Sequence, residues 1–99
     1  MIIYEVTVSI ESHLVSEYES YMVDHHIPDV LATGCFVSAE MSRADNKYRV
    51  CYYAETRDSL DRYLDSDTER LRADFAEHFP DGVTVTRGIW DVITELGCT

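Results

Sequence analysis

The sequence predicts an α+β sandwich in the order βαββαβ, with a four-stranded antiparallel sheet carrying two helices on one face. Three observations predict it. Residues Ile2–Ile10 alternate apolar and polar without a break. Two further alternating runs meet across the turn residues Ala44-Asp45-Asn46. The two long gaps between strand patterns carry apolar residues at helical spacing.

In the first strand Ile2, Tyr4, Val6, Val8 and Ile10 share one face, opposite Ile3, Glu5, Thr7 and Ser9. The first side calls for a helical cover and the second for something more polar. Ser12 is placed to cap a helix from His13, in which Leu14, Tyr18, Tyr21, Met22 and His25 form the inward stripe, with His26 at its margin. Pro28 disfavours α geometry at Ile27, so that helix is expected to stop or kink. Pro28 and Asp29 then suit the first turn of a short second helix, which Gly34 ends in a left-handed conformation.

From Cys35 to Arg43 the chain alternates again, with Cys35, Val37, Ala39 and Met41 opposite Phe36, Ser38, Glu40 and Ser42. The run Tyr48–Glu55 completes a β-hairpin. Thr56 caps a helix with Leu60, Tyr63 and Leu64 inward, and Ser66 with Glu69 reads as a capping box where the helix breaks and restarts. Leu71, Phe75 and Phe79 continue the stripe to the turn Pro80-Asp81-Gly82. Val83–Arg87 is the last strand, with Gly88 expected to form a bulge before Ile89–Ile93. This order is the ferredoxin-like split βαβ arrangement. Its helix-covered side is expected to hold Ile2, Tyr4, Val6, Val8, Val50 and Tyr52. The other side, with Thr7, Phe36, Cys51, Tyr53 and Thr84, is mixed in character, and a second copy of the sheet is its simplest cover.

Ninety-nine residues make a single domain, 1–99, with 45% hydrophobic residues to fill one core. With 19 Asp+Glu against 8 Lys+Arg the net charge is −11, which repels phosphate backbones and anionic lipid. Nucleic acid and membrane surfaces are therefore not expected partners. Lys47 is the single lysine, and an acidic, lysine-poor surface fits either adaptation to high salt or an ordinary acidic cytosolic protein, which composition alone does not separate. No apolar run approaches the ~20 residues that span a bilayer, and the chain opens on a strand pattern, not a signal peptide. Cys35, Cys51 and Cys98 lack metal spacing and read as thiols of a reducing cytoplasm.

The opening Met1–Val8 and the motif His26-Ile27-Pro28-Asp29-Val30-Leu31-Ala32-Thr33-Gly34-Cys35-Phe36 resemble a bacterial family of domains of unknown function. Tyr53–Arg57, Leu60, Tyr63-Leu64 and Arg70–Ala73 fit it as well. The family resembles the dimeric α/β-barrel group, in which two ferredoxin-like subunits pack sheet against sheet. Tyr21, His26, Pro28 and Gly34 are similar to the helix–His-x-Pro–Gly–strand pattern of EthD-like and stress-responsive barrel proteins. Monooxygenases of antibiotic biosynthesis and haem-degrading enzymes share the barrel, but their catalytic residues are not recognisable here. The resemblance implies a homodimer with a cleft between helices and sheet, and fold alone does not carry an activity.

His26 is the candidate general acid or base, with Asp29 three residues on to orient it. The alternative use for His26 is to cap carbonyls at a helix end, and that end position favours it. His25 on the apolar stripe reads as a hydrogen-bonded core or ligand-facing residue. A metal site is not expected: adjacent helical residues point about 100° apart, so His25 and His26 do not converge on one ion. Tyr4, Tyr18, Tyr52 and Tyr63 all point into the helix–sheet layer, where they either line an aromatic pocket or fill the core margin. Arg43 and Arg49 flank the hairpin, and pairing with acids is their expected use. Cys35 alternates with buried positions, where a thiol is inert. There is no phosphate loop, nucleophile motif or paired-carboxylate spacing, and no cofactor is expected. The leading expectation is a cytoplasmic homodimer whose cleft takes a small apolar or aromatic molecule. Its alternatives are a cofactor-independent enzyme, monooxygenase- or isomerase-like, with His26 as acid/base, and a non-catalytic structural or regulatory module.

Overall fold

The computed structural model describes residues 1–97, which leaves Cys98 outside the described residues. Strands β1 (Ile2–Ile10), β2 (Ser38–Ala44), β3 (Lys47–Ala54) and β4 (Val83–Asp91) form one antiparallel sheet in the order β2-β3-β1-β4. Helices α1 (Val15–Tyr21), α2 (Ile27–Ala32), α3 (Arg57–Ser66) and α4 (Thr68–His78) complete the βαββαβ plan. Tyr4 stands opposite Tyr52 on β3 and Ile89 on β4, and Val6 opposite Val50 and Arg87. The helix-covered face therefore carries Ile2, Tyr4, Val6, Val8, Val50 and Tyr52. All of these are buried or packed on the core.

Five local expectations are corrected. Ser12 makes no side-chain cap; Glu11 leads into a single 3₁₀ turn, Ser12–Leu14, before α1. The chain does not stop at Pro28. It widens into one π-type turn, Met22–His26, and continues directly into α2 with Ile27 in α geometry. The Ile27 N–H reaches back to the Met22 carbonyl, five residues away. A widened turn gives room for the proline ring, and Pro28 sits in the first turn of α2, where its missing N–H does least harm. Phe36 does not face the bare side of the sheet. It is buried against Tyr4, Tyr52 and Tyr63, with the Phe36–Tyr63 ring centres 4.9 Å apart. The chain crosses into the sheet only at Val37, so the alternation before it is not that of a strand. Gly88 makes no bulge, since β4 pairs with β1 in unbroken register from Val83 to Asp91. The break between α3 and α4 falls where expected, but Asp67 occupies the boundary and makes no cap bond, in place of the Ser66–Glu69 box.

Other local devices stand as read. Thr56 Oγ1 accepts from the Ser59 N–H at 3.1 Å and starts α3. Gly34, at φ 77°, ends α2 in the left-handed region. Arg43 pairs with Glu19, which also accepts from the Tyr48 hydroxyl, and Arg49 pairs with Glu5 at 2.8 Å on the uncovered face. Cys35 and Cys51 are free and buried. No helix among the described residues is long and apolar enough to cross a membrane.

Candidate functional site

Between the sheet and the α1–α2 and α4 segments lies an open-mouthed cavity. Only about 40 Å³ of it is wide enough for a water molecule, so it is a narrow slot. Tyr4, Val6 and Val8 of β1 and Tyr52 of β3 form its floor, as alternation on those strands requires. Tyr18, Met22 and His26 come from the first helical segment, Tyr63 from α3, and Thr68, Leu71, Arg72 and Phe75 from α4. Val85 and Arg87 close the β4 side.

The expected site residues divide clearly. Tyr4, Tyr18, Tyr52, Tyr63 and His26 all line the slot. His25 does not; it is exposed. The π-type turn holds one residue more than an α turn, which carries the inward stripe from Met22 to position 26 and turns His25 to solvent. Asp29 is exposed on the outer side of α2, in a surface groove shared with Arg70, and makes no hydrogen bond to His26. Nor does His26 cap a helix end, because the helix runs on through it to Ala32. Among the described residues no group of three or more His, Cys, Asp or Glu could hold a metal ion.

Sequence reasoning missed Arg72, Arg87, Thr68 and Asp74. Arg87 shares a face of β4 with Val83 and Val85, so its inward direction was available from alternation alone. Asp74 accepts from the Tyr21 hydroxyl at 2.9 Å and steadies the wall behind His26. Arg72 donates to the Tyr4 hydroxyl at 3.2 Å.

Burial keeps the imidazole and the phenols of this slot neutral, while Arg72 and Arg87 bring the positive charge. Burial is the largest influence on His26 and lowers its pKa from the ordinary 6.5. The charges of Asp74 and then Asp29 oppose that fall, and Arg87 adds to it. Burial likewise raises Tyr18, Tyr52 and Tyr63, the last to about 12, so these phenols stay protonated. The slot thus offers neutral donors and a neutral imidazole. Three buried side-chain polar atoms among the described residues lack a hydrogen-bond partner: Tyr18 Oη, His26 Nδ1 and Thr68 Oγ1. All three belong to residues of this slot. Buried polar atoms are normally satisfied, so three orphans among the lining residues of one cavity suit a water or a ligand's polar group there, with Thr68 also close enough to Tyr63 to influence its hydroxyl.

Fold and site together define a ferredoxin-like α+β domain with an aromatic slot between its layers. Residues 1–93 match the family described as domain of unknown function DUF4286, and the chain belongs to that family. No curated protein matches the sequence. Among solved structures, SnoaB, a cofactor-independent oxygenase from Streptomyces nogalater, is similar at TM-score 0.76 and 17% identity, over 96% of this chain and 95% of that one. The haem degrader MhuD from Mycobacterium tuberculosis, with two haems bound in its active site, is similar at TM-score 0.72 and 12% identity, over 98% and 100%. An ethyl tert-butyl ether d (ethd) family protein from Bacillus halodurans is similar at TM-score 0.67 and 11% identity, over 89% and 97%. At these identities the likeness is one of fold.

Proposed function

We propose that this protein binds a small planar aromatic molecule in the slot, with His26 and the tyrosine hydroxyls as its polar contacts. That Tyr18 Oη, His26 Nδ1 and Thr68 Oγ1 are unpartnered and belong to residues lining one aromatic-walled cavity carries the reading. A flat ring would have to part the slot's walls, since about 40 Å³ is short of the ~150 Å³ that holds benzene in a preformed cavity, and its phenolic or carbonyl group would pair the orphaned atoms.

A catalytic version follows from one observation, the neutral, half-buried imidazole. An unprotonated His26 accepts the hydrogen bond of a bound phenol, and because burial also weakens it as a base it takes the proton only from a ring whose hydroxyl is acidified, the opening step of chemistry that needs no cofactor. SnoaB is named a cofactor-independent oxygenase, which makes such chemistry compatible with the scaffold. In this version the tyrosines place the ring. Asp29, too distant in bonding terms to orient His26 directly, acts only through its charge.

The assembly we propose is a homodimer through the uncovered sheet face. Ser38, Tyr53, Ile3 and Trp90 form one cross-strand row there, and Trp90 is 58% exposed. Ile93 and Leu96, just beyond β4, are also exposed. Free buried thiols and an acidic surface suit a cytoplasmic protein.

The test is a thermal-shift screen of small phenols and aryl ketones against the wild type and His26→Ala. A ligand that raises the wild-type melting temperature but not that of the variant supports the reading. Equal shifts in both proteins would remove His26 from the site.

A further inference from the structure

We infer that the slot selects aromatic acids, the carboxylate being read by Arg72 and Arg87 at its mouth; this rests on the aromatic-ligand reading above. The chain has 8 Lys+Arg among 19 Asp+Glu, so more than two acids are available to every cation. Arg43, Arg49, Arg57 and Arg70 accordingly sit in ion pairs with Glu19, Glu5, Asp61 and Asp67. Lys47, Arg62, Arg72 and Arg87 have no such partner among the described residues, and of these four Arg72 and Arg87 are the pair that meets at the slot. They reach it from opposite sides, Arg72 from α4 and Arg87 from β4.

Arg72 spends one N–H on the Tyr4 hydroxyl, a neutral acceptor, which fixes the guanidinium over the slot and leaves further donors free. Arg87 stands opposite Val6, two residues along β1 from Tyr4 and on the same face. Its charge is felt at His26. In a protein of net charge −11, acidic solutes are repelled from most of the surface, so a local pair of guanidiniums determines where an anion can dock. Guanidinium donors suit a carboxylate in particular, because their planar fork matches its two oxygens. The aromatic walls then hold the ring, the arginines hold the acid, and the orphaned atoms are left to a second polar substituent deeper in the slot.

The test compares benzoate with benzyl alcohol, a neutral molecule of nearly the same shape, by NMR titration of the ¹⁵N-labelled protein at neutral pH. Benzoate is expected to bind about tenfold more tightly, the size of one charge-assisted contact. In Arg87→Met the two probes should come within about threefold of each other. Arg87 lies on an edge strand without an ion pair among the described residues, so this variant keeps the fold. Arg72→Met provides the second arm should Arg87 carry less than half of the preference. Raising salt should weaken benzoate and not the alcohol. Equal affinity for both probes in the wild type overturns the selection for acids while leaving the aromatic slot standing. Binding of neither probe overturns both readings.

Discussion

Replacing His26 by phenylalanine separates a histidine kept for a ligand from one kept for the fold. The ring packs against Phe75 with centres 5.7 Å apart and against Tyr21 at 5.8 Å, and a phenyl ring preserves both contacts. What the substitution removes is Nδ1, a buried nitrogen without a partner. An unsatisfied buried polar group costs about 1–3 kcal/mol, so His26→Phe is expected to stabilise the fold by about 1 kcal/mol after allowing for imperfect repacking. For a domain of this length that raises Tm by roughly 4–8 °C. A pH series sharpens the test. The folded-state pKa of His26 is lowered below 6.5, so the unfolded chain binds its proton more readily. The wild type should therefore lose stability as pH falls through about 6.5 and on towards the lower folded value. Below that value this contribution is constant, and in His26→Phe it should be absent. Calorimetry from pH 7.5 to pH 5 with both proteins reads the whole effect. A variant destabilised by more than about 1 kcal/mol at pH 7 would mean that His26 makes a hydrogen bond essential to the fold, and the argument from its orphaned nitrogen would fail.

Three further outcomes follow. Gly34→Ala and Gly82→Ala should each lose about 1–2 kcal/mol in urea unfolding, because both sit near φ +80°. Gly82 should lose slightly more, as its new Cβ would stand 2.8 Å from Leu14 Cδ1 and push that side chain aside; a gain in stability at either site would refute the backbone reading. Trp90→Glu places a charge in the proposed interface and should convert a dimer to a folded monomer in sedimentation velocity, whereas a wild type already monomeric at micromolar concentration rejects the dimer. With net charge −11, dialysis from molar chloride to dilute buffer should lower Tm, and a Tm indifferent to salt removes the case for high-salt adaptation.

The sheet was legible because strand alternation is a local signal: Ile2–Ile10 reads the same in the sequence and in the structure. The tyrosine lining followed from the same parity, since Tyr4 and Tyr52 are directly opposite on paired strands. Two kinds of information were not local. The exchange of His25 for His26 depends on one extra residue in a helical turn, which no periodicity count detects until the hydrogen bond from Ile27 to Met22 is seen. Phe36 was misread because Cys35 and Phe36 are both buried while the chain turns from α2 toward β2, where side chains follow neither a helical nor a strand period. Arg87 shows a third difficulty. Its parity pointed inward, but a bulge expected at the adjacent Gly88 made parity near it unsafe to use, whereas β4 runs in register through to Asp91. Arg72 and Thr68 join the slot only because α4 packs over β1, a tertiary fact.

The central claim, that the slot takes an aromatic ligand on His26, is tested most directly by following the His26 side-chain nitrogens by ¹⁵N NMR during titration with 4-methylphenol. The account predicts that the Nδ1 resonance moves as it accepts the phenol hydroxyl, together with backbone shifts at Val6, Met22, Leu71 and Val85. A His26 resonance unchanged at saturation, or shifts confined to the Trp90 face of the sheet, would contradict it.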